Sequence, residues 1–399
     1  MLIVGTMVVG AALGLARFGY STVLPAMQEG IGLDNTQAGV IATANLFGYL
    51  MLAAIGGALA SRLGPRVVIA AGLTLAGLSM LLTGMVSSFA GATFWRLLTG
   101  IGSGASYVPV MGLMAAWFSA RRRGLAAGIL VSGSSFVLIV IGPSVPAVLN
   151  AYGDMGWRVC WWGFGTLVLI IAMIAALLLR NCPEDCGLRP VVEDTSGNGE
   201  RARAGLKWGA VYRARSVWHL GAVYFPHGFS YIIYLTFFVA ILVQEAGYTE
   251  AAAGNLFMLV GWLSLACGII WGHVSDVLGR GPALMIVYLI HVVAFAIFGL
   301  TASPVALTIS AILFGLTAWS IPAIMSAASG DIVGPKLAPA ALGFATLFFG
   351  VGQAAAPTVA GAVADAVGSL RLAMLLAAGV ALMGAIGAAT LRMKVQGRT

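Results

Sequence analysis

Charge is what this sequence has least of. Its 399 residues include 21 Lys and Arg and 13 Asp and Glu, 9% in all, against about 25% in a typical soluble domain. So few charges cannot coat a water-soluble globule of this length. With 60% hydrophobic residues and a mean hydropathy of +0.99, an ordinary soluble enzyme and a disordered chain are both excluded. Cysteine and histidine are scarce too, at four each. Cys160 and Cys267 fall inside apolar runs, and Cys182 and Cys186 form a C-x3-C pair in a polar stretch with no histidine nearby. That pattern reads as reduced spectator thiols rather than a zinc or redox site. No two histidines have metal-ligand spacing, so neither a metal nor a cofactor is expected. A Gly-x-Ser-x-Gly, a P-loop and a Cys–His pair are all missing, which disfavours an ATP-driven pump and a membrane-embedded enzyme.

What the sequence does have is long apolar runs. A membrane-spanning helix needs about 20 apolar residues. Runs of that length are readable at 3–27, 36–60, 66–87, 91–115, 124–148 and 157–180, and again at 217–243, 250–272, 281–301, 304–327, 339–363 and 370–391. A polar stretch over 181–216 divides them. The expected architecture is an all-α membrane protein of twelve transmembrane helices in two pseudo-symmetric six-helix bundles, 1–180 and 217–399, joined by a linker over 181–216. The first run starts at Met1 without a basic residue ahead of it and continues past Pro25, which reads as a retained helix rather than a signal peptide.

Basic residues set the expected orientation. With the N-terminus cytoplasmic, 17 Lys and Arg fall on the cytoplasmic side and only Arg158 and Arg371 on the other; Arg17 and Arg96 lie inside helices. This is the positive-inside pattern, so both termini and the linker are expected in the cytoplasm of a cell whose inner membrane holds the protein. The basic balance does not mean nucleic acid, because the charges sit in short clusters between apolar runs. The lipid bilayer is the expected partner, and the protein reads as a monomer.

The two halves repeat. Gly57–Arg66, reading GALASRLGPR, follows the second run, and Gly272–Arg280, reading GHVSDVLGR, follows the eighth, 215 positions later. The same offset maps Ala38-Gly39 onto Ala253-Gly254. These loops resemble the cytoplasmic loop motif of the major facilitator superfamily, the first copy departing at Ser61 and the second at Val277. Arg96-x3-Gly100-x-Gly102 is similar to the fourth-helix motif of that superfamily, and Gly142-Pro143 to part of the fifth-helix motif of its antiporters. The run Ala16-Arg17-Phe18-Gly19-Tyr20, with Leu24-Pro25-Ala26-Met27, Ala44-Asn45 and Gly48-Tyr49-Leu50, resembles the YbfB/YjiJ-like branch. The resemblance implies a rocker-switch transporter with its substrate between the halves near the midplane. It also implies a gating role for Gly57, Arg62, Arg66, Gly272, Asp276 and Arg280: the glycines let two helices approach closely, and Arg62, Arg66 and Arg280 pair with carboxylates or helix C-termini in one conformation only.

The 13 carboxylates all lie near helix ends or in loops, whereas Arg17 and Arg96 lie inside helices. A cation in the membrane interior costs several kcal/mol unless compensated, and a substrate anion is one compensation. Gly10, Gly14, Arg17 and Ser21 recur at helical spacing with Tyr20 beside them, which reads as a cavity wall. Arg96, Gly100, Ser103 and Tyr107 form a second stripe, and Arg96 divides evenly between a structural and a functional reading. Tyr224, His227, Tyr231 and Tyr234 share one face of the seventh helix; His227 is a candidate proton carrier, with a neutral packed histidine as the bland alternative. His291 reads as alone on an apolar face. Asn45, Tyr49, Trp319 and Gln353 complete the candidate substrate contacts. The expected function is proton-coupled symport of a small, monocarboxylate-like organic anion; an exporter of drugs or neutral metabolites and a membrane receptor are the alternatives.

Overall fold

The computed structural model describes residues 1–118, 123–182, 213–334 and 337–391. Arg121, Arg122, Cys186, most of the 181–216 linker, Lys336, Arg392, Lys394 and Arg398 lie outside the described residues, so the expectations placed on them stand as sequence readings.

Among the described residues the chain forms twelve helical segments and no strand: α1 (Leu2–Ile31), α2 (Asn35–Leu63), α3 (Pro65–Thr83), α4 (Phe89–Trp117), α5 (Arg123–Tyr152), α6 (Gly156–Leu178), α7 (Arg215–Glu245), α8 (Glu250–Leu278), α9 (Arg280–Leu300), α10 (Pro304–Val333), α11 (Ala338–Val367) and α12 (Arg371–Ala389). Nine stretches qualify as long and apolar enough to cross a membrane, or up to ten with the bent α2 taken as one span; one of the nine, Gly124–Leu178, carries both α5 and α6. The segments follow the twelve apolar runs of the sequence to within a few residues.

Two helices depart from α geometry. Gly10–Phe18 of α1 and Ile241–Glu245 of α7 are π-helical. Wider turns leave backbone carbonyls open to outside donors. In α1 they are used: the Ser103 hydroxyl donates to Ala12 and Arg96 Nη1 donates to Ala16 at 2.6 Å. The α10 helix is interrupted between Gly315 and Ser320.

The internal repeat is visible in backbone detail. The Asp34 side chain caps α2 with a full capping box through Gln37, and 215 positions on the Thr249 hydroxyl accepts from the Ala252 N–H at the start of α8. Gly64 and Gly279, also 215 apart, both take positive φ, 85° and 91°, between consecutive helices. Only glycine adopts that conformation without strain.

The residues group into two compact units. The first comprises Met1–Val192, Leu235–Leu265 and Pro357–Ala373; the second comprises Glu193–Tyr234, Ala266–Ala356 and Met374–Thr399. In the first, α4 packs closely on α2 and α3, and α3 on α6. Close approach relies on small residues: a Cβ on Gly100 would strike the Asn45 carbonyl, and one on Gly104 the Tyr49 carbonyl. In this unit α2 meets α11, where Gly39 abuts the Pro357 carbonyl, and α5 meets α8, where Gly142 abuts Gly254. In the second unit α9 packs on both parts of α10. There, Tyr234 sits among Phe295, Phe298 and Phe314 with its hydroxyl 2.9 Å from that of Ser310.

Candidate functional site

In the first unit Arg17 and Arg96 have different surroundings, although both are mid-helix cations. Arg96 is fully buried. Its guanidinium reaches the Ala16 carbonyl and lies between two ring faces, Cζ being 5.2 Å from the Tyr20 centroid and 5.0 Å from that of Trp161. The residues around it are likewise engaged with backbone. The Tyr20 hydroxyl donates to the Ala38 carbonyl at 2.9 Å, and Asn45 Nδ2 donates to the Arg96 carbonyl at 3.2 Å. Tyr20, Asn45 and Arg96 therefore tie α1, α2 and α4 together.

Arg17 is half-buried. Its Cζ lies 4.5 Å above the Tyr49 ring, and Tyr49 lies 6.1 Å from Tyr107. A guanidinium over an aromatic face gains cation–π stabilisation of about 0.5–2 kcal/mol. The described carboxylates of this unit lie at or near helix ends. Asp34 caps α2, Asp365 accepts from Asn35 and Thr36, and Glu245 accepts from Ser369 and the Leu370 N–H and lies 3.4 Å from Arg371.

The polar stripe expected along α1 is not a cavity wall. Gly10 and Gly14 close against Gly133 and Val137 of α5, and Ser21 donates to the carbonyls of Leu235 and Thr236. The π-helical segment changes the angular step between residues, so spacing read at 3.6 residues per turn does not put these groups on one surface.

The second unit gathers a cluster around His227. The ring is buried, with Tyr231 at 4.9 Å, Phe349 at 5.7 Å, His291 at 5.9 Å and Tyr224 at 6.1 Å between centroids, all within 30° of parallel. The Tyr231 hydroxyl donates to Gln353 Oε1 at 2.5 Å, so three of the expected site residues, His227, Tyr231 and Gln353, come together. Trp319 stands half-buried at the break in α10, its N–H on Cys267 Sγ at 3.3 Å. His291 is not alone. The expectation of an isolated histidine fails because α9 packs across α7, which periodicity within one helix cannot reveal. Phe349 was equally invisible as a site residue, its only signal being membership of an aromatic run on α11.

Arg280 bonds Asp276 at 2.5 Å, Asp331 at 2.9 Å and the Ser275 hydroxyl at 2.6 Å. Arg66 Nε donates to the Ala176 carbonyl at 2.6 Å, in the last turn of α6, while its N–H meets Asn181 Oδ1 at 3.0 Å. Arg62 is exposed. Gly57 borders an open groove of about 440 Å³ with Ser61, Gly64, Gly112 and Asn181. A Cβ on Gly57 or Gly272 would meet nothing within 4 Å, so neither glycine is in close contact with a neighbouring helix in this conformation. Among the described residues no group of three His, Cys, Asp or Glu converges to hold a metal ion.

Residues 8–389 match the family described as "Uncharacterised MFS-type transporter YbfB". The chain is 26% identical to the probable sulfoacetate transporter SauU of Cupriavidus necator over 270 residues, 66% of this chain and 60% of that one. It is 32% identical to the 3-(3-hydroxy-phenyl)propionate transporter of Escherichia coli over 157 residues, 39% of this chain and 37% of that one. It thus spans less than two thirds of the length of either relative. A bacterial homologue of the human lysosomal transporter Spinster, crystallised inward-facing and unoccupied, matches with a TM-score of 0.79 at 16% identity, covering 98% of this chain and 96% of that one; the likeness is one of fold.

Proposed function

Because this chain belongs to the YbfB-like family of major facilitator superfamily transporters, we propose that it carries a small organic anion across the membrane by alternating access between two halves, 1–180 and 217–399. The observation that carries the reading is the placement of Arg17: half-buried, mid-helix, over Tyr49 and in the last turn of a π-helical segment. We place the ligand at Arg17, over the Tyr49 ring, while Arg96, enclosed and bonded to the backbone of α1, positions the helix that bears it. Tyr49 and Tyr107 flank the anion. The substrates for which those relatives are named, sulfoacetate and an arylpropionate, are organic acids that a guanidinium fork recognises through paired N–H···O bonds.

With the N-terminus cytoplasmic, the α2–α11 and α5–α8 contacts of the first unit lie at the outer ends of their helices, and alternating access has to break them. The Arg280 hub and the unfilled space at Gly57 and Gly272 belong to the opposite, inner ends, where closure follows. Substrate entry is coupled to a proton taken up at His227, in an inner membrane with both termini cytoplasmic, by a monomer.

Counterflow in liposomes tests the reading. Purified protein should exchange labelled carboxylates or sulfonates against an internal pool and leave neutral analogues of the same shape untouched. Exchange of neutral cargo alone overturns the anion assignment.

A further inference from the structure

His227 and His291 are both buried, 1% and 0% exposed. Their rings lie 19° from parallel with centroids 5.9 Å apart. His227 Nδ1 and both nitrogens of His291 have no hydrogen-bond partner among the described residues. The Thr317 backbone approaches the His291 ring without meeting hydrogen-bond geometry. An imidazole always carries at least one N–H, and a neutral one also offers a lone pair. Leaving such a group buried and unmade is costly. Two facing imidazoles with nitrogens that no described side chain engages can share a ligand between them.

The surroundings narrow what that is. The described part of this unit holds only two carboxylates, Asp276 and Asp331, and both bond Arg280 at the helix ends. The titratable groups facing the pair are hydroxyls: Tyr224, Tyr231 and Tyr234 on α7 and Tyr288 on α9. Three of them are already committed, Tyr231 to Gln353, Tyr234 to Ser310 and Tyr288 to the Val223 carbonyl. The remaining neighbours are the Phe349 face on α11, Phe295 on α9 and Phe314 on α10. A metal ion would need anionic or additional imidazole ligands, which are missing. A single positive charge would lie against the faces of Tyr231, Phe349 and Tyr224, each within about 6 Å, the range of cation–π attraction.

We propose that His227 and His291 form one proton-binding site, shared between α7 and α9, in which aromatic faces take the place of a carboxylate. An imidazole lone pair on one ring accepts a proton from hydronium, which is left as water, forming an N–H. The neutral ring opposite accepts that N–H, directly after a small rotation or through one bridging water, and the proton later leaves to water by the reverse step. Two imidazolium rings this close repel, so the pair binds one proton, not two. This names His291 as a proton-carrying residue; only the transport arm of its test rests on the reading of the chain as an anion carrier.

The first arm needs no substrate. In 15N-histidine-labelled protein in nanodiscs, assigned by single replacements, His227 and His291 should titrate together as one coupled step, apart from His219 and His273. His291→Gln should move the His227 midpoint by about one pH unit or more. Independent titration of the two rings, or no titration of either between about pH 4 and 9, overturns the site. The second arm compares His291→Gln with wild type in liposomes. Uptake driven by an inward proton gradient should be lost while counterflow without a gradient persists. A coupled titration with no anion transport in wild type would leave the proton site standing and remove the anion reading, so the two failures are distinguishable. Gradient-driven uptake unchanged in His291→Gln would remove His291 from coupling.

Discussion

The Asp365 carboxylate accepts the Thr36 N–H at 2.7 Å and the Thr36 hydroxyl at 2.5 Å, and takes the Asn35 N–H as well. A side chain at the end of α11 thus caps the first turn of α2, where unpaired N–H groups and the helix dipole favour a negative charge. Beside it a Cβ on Gly361 would strike the Asn35 carbonyl, so charge and close packing act at one junction.

Asp365→Asn keeps the shape and loses the charge. Hydrogen bonds to charged groups are worth about 1.5–3 kcal/mol, so the α2–α11 contact should open about tenfold more often. Spin labels on the outer ends of α2 and α11 report this directly: the variant should gain a long-distance population. An unchanged distance distribution would mean that glycine packing alone holds the junction.

Gly100 and Gly57 separate packing from gating. Gly100→Ala drives a methyl into the Asn45 carbonyl, and overpacking of this kind costs about 1–3 kcal/mol; the melting temperature of the purified protein should fall. Gly57→Val meets open space and should leave the melting temperature unchanged while slowing substrate exchange, because closure brings a neighbour to that face. Equal melting temperatures for wild type and Gly100→Ala would contradict the packing account, and normal exchange in Gly57→Val the gating account.

The features legible in the sequence are those fixed by neighbours along the chain. Twelve apolar runs gave twelve helices because span length is a local property. Gly64 and Gly279 marked the same turn twice because positive φ selects glycine wherever it occurs. What the sequence hid depends on packing. His227 and His291 are separated by 64 positions, and their meeting is decided by how α9 crosses α7. The Gly10–Phe18 segment misled because a stripe drawn at 3.6 residues per turn assumes the α geometry that this segment abandons. Arg96 was ambiguous for a related reason, since its acceptor, the Ala16 carbonyl, is exposed only by that departure.

Arg96→Leu should therefore act on the fold before it acts on transport. It leaves the Ala16 carbonyl without its donor and empties the space between Tyr20 and Trp161, a loss of about 2–3 kcal/mol. The expected signature is a lower melting temperature with substrate affinity preserved in the fraction that remains folded. A normal melting temperature with lost affinity would place Arg96 in contact with substrate instead.

The most direct measurement is anion binding and uptake by Arg17→Gln and Arg17→Lys in liposomes, with folding checked by melting temperature. Truncating one partner of a buried charged hydrogen bond costs about 2–5 kcal/mol, or roughly 30-fold or more in affinity. Arg17→Gln should lose that much for carboxylates or sulfonates and nothing for neutral analogues. Arg17→Lys, which keeps the charge but not the planar fork, should fall between. A folded Arg17→Gln that takes up the same anion with wild-type affinity would contradict the account at its centre.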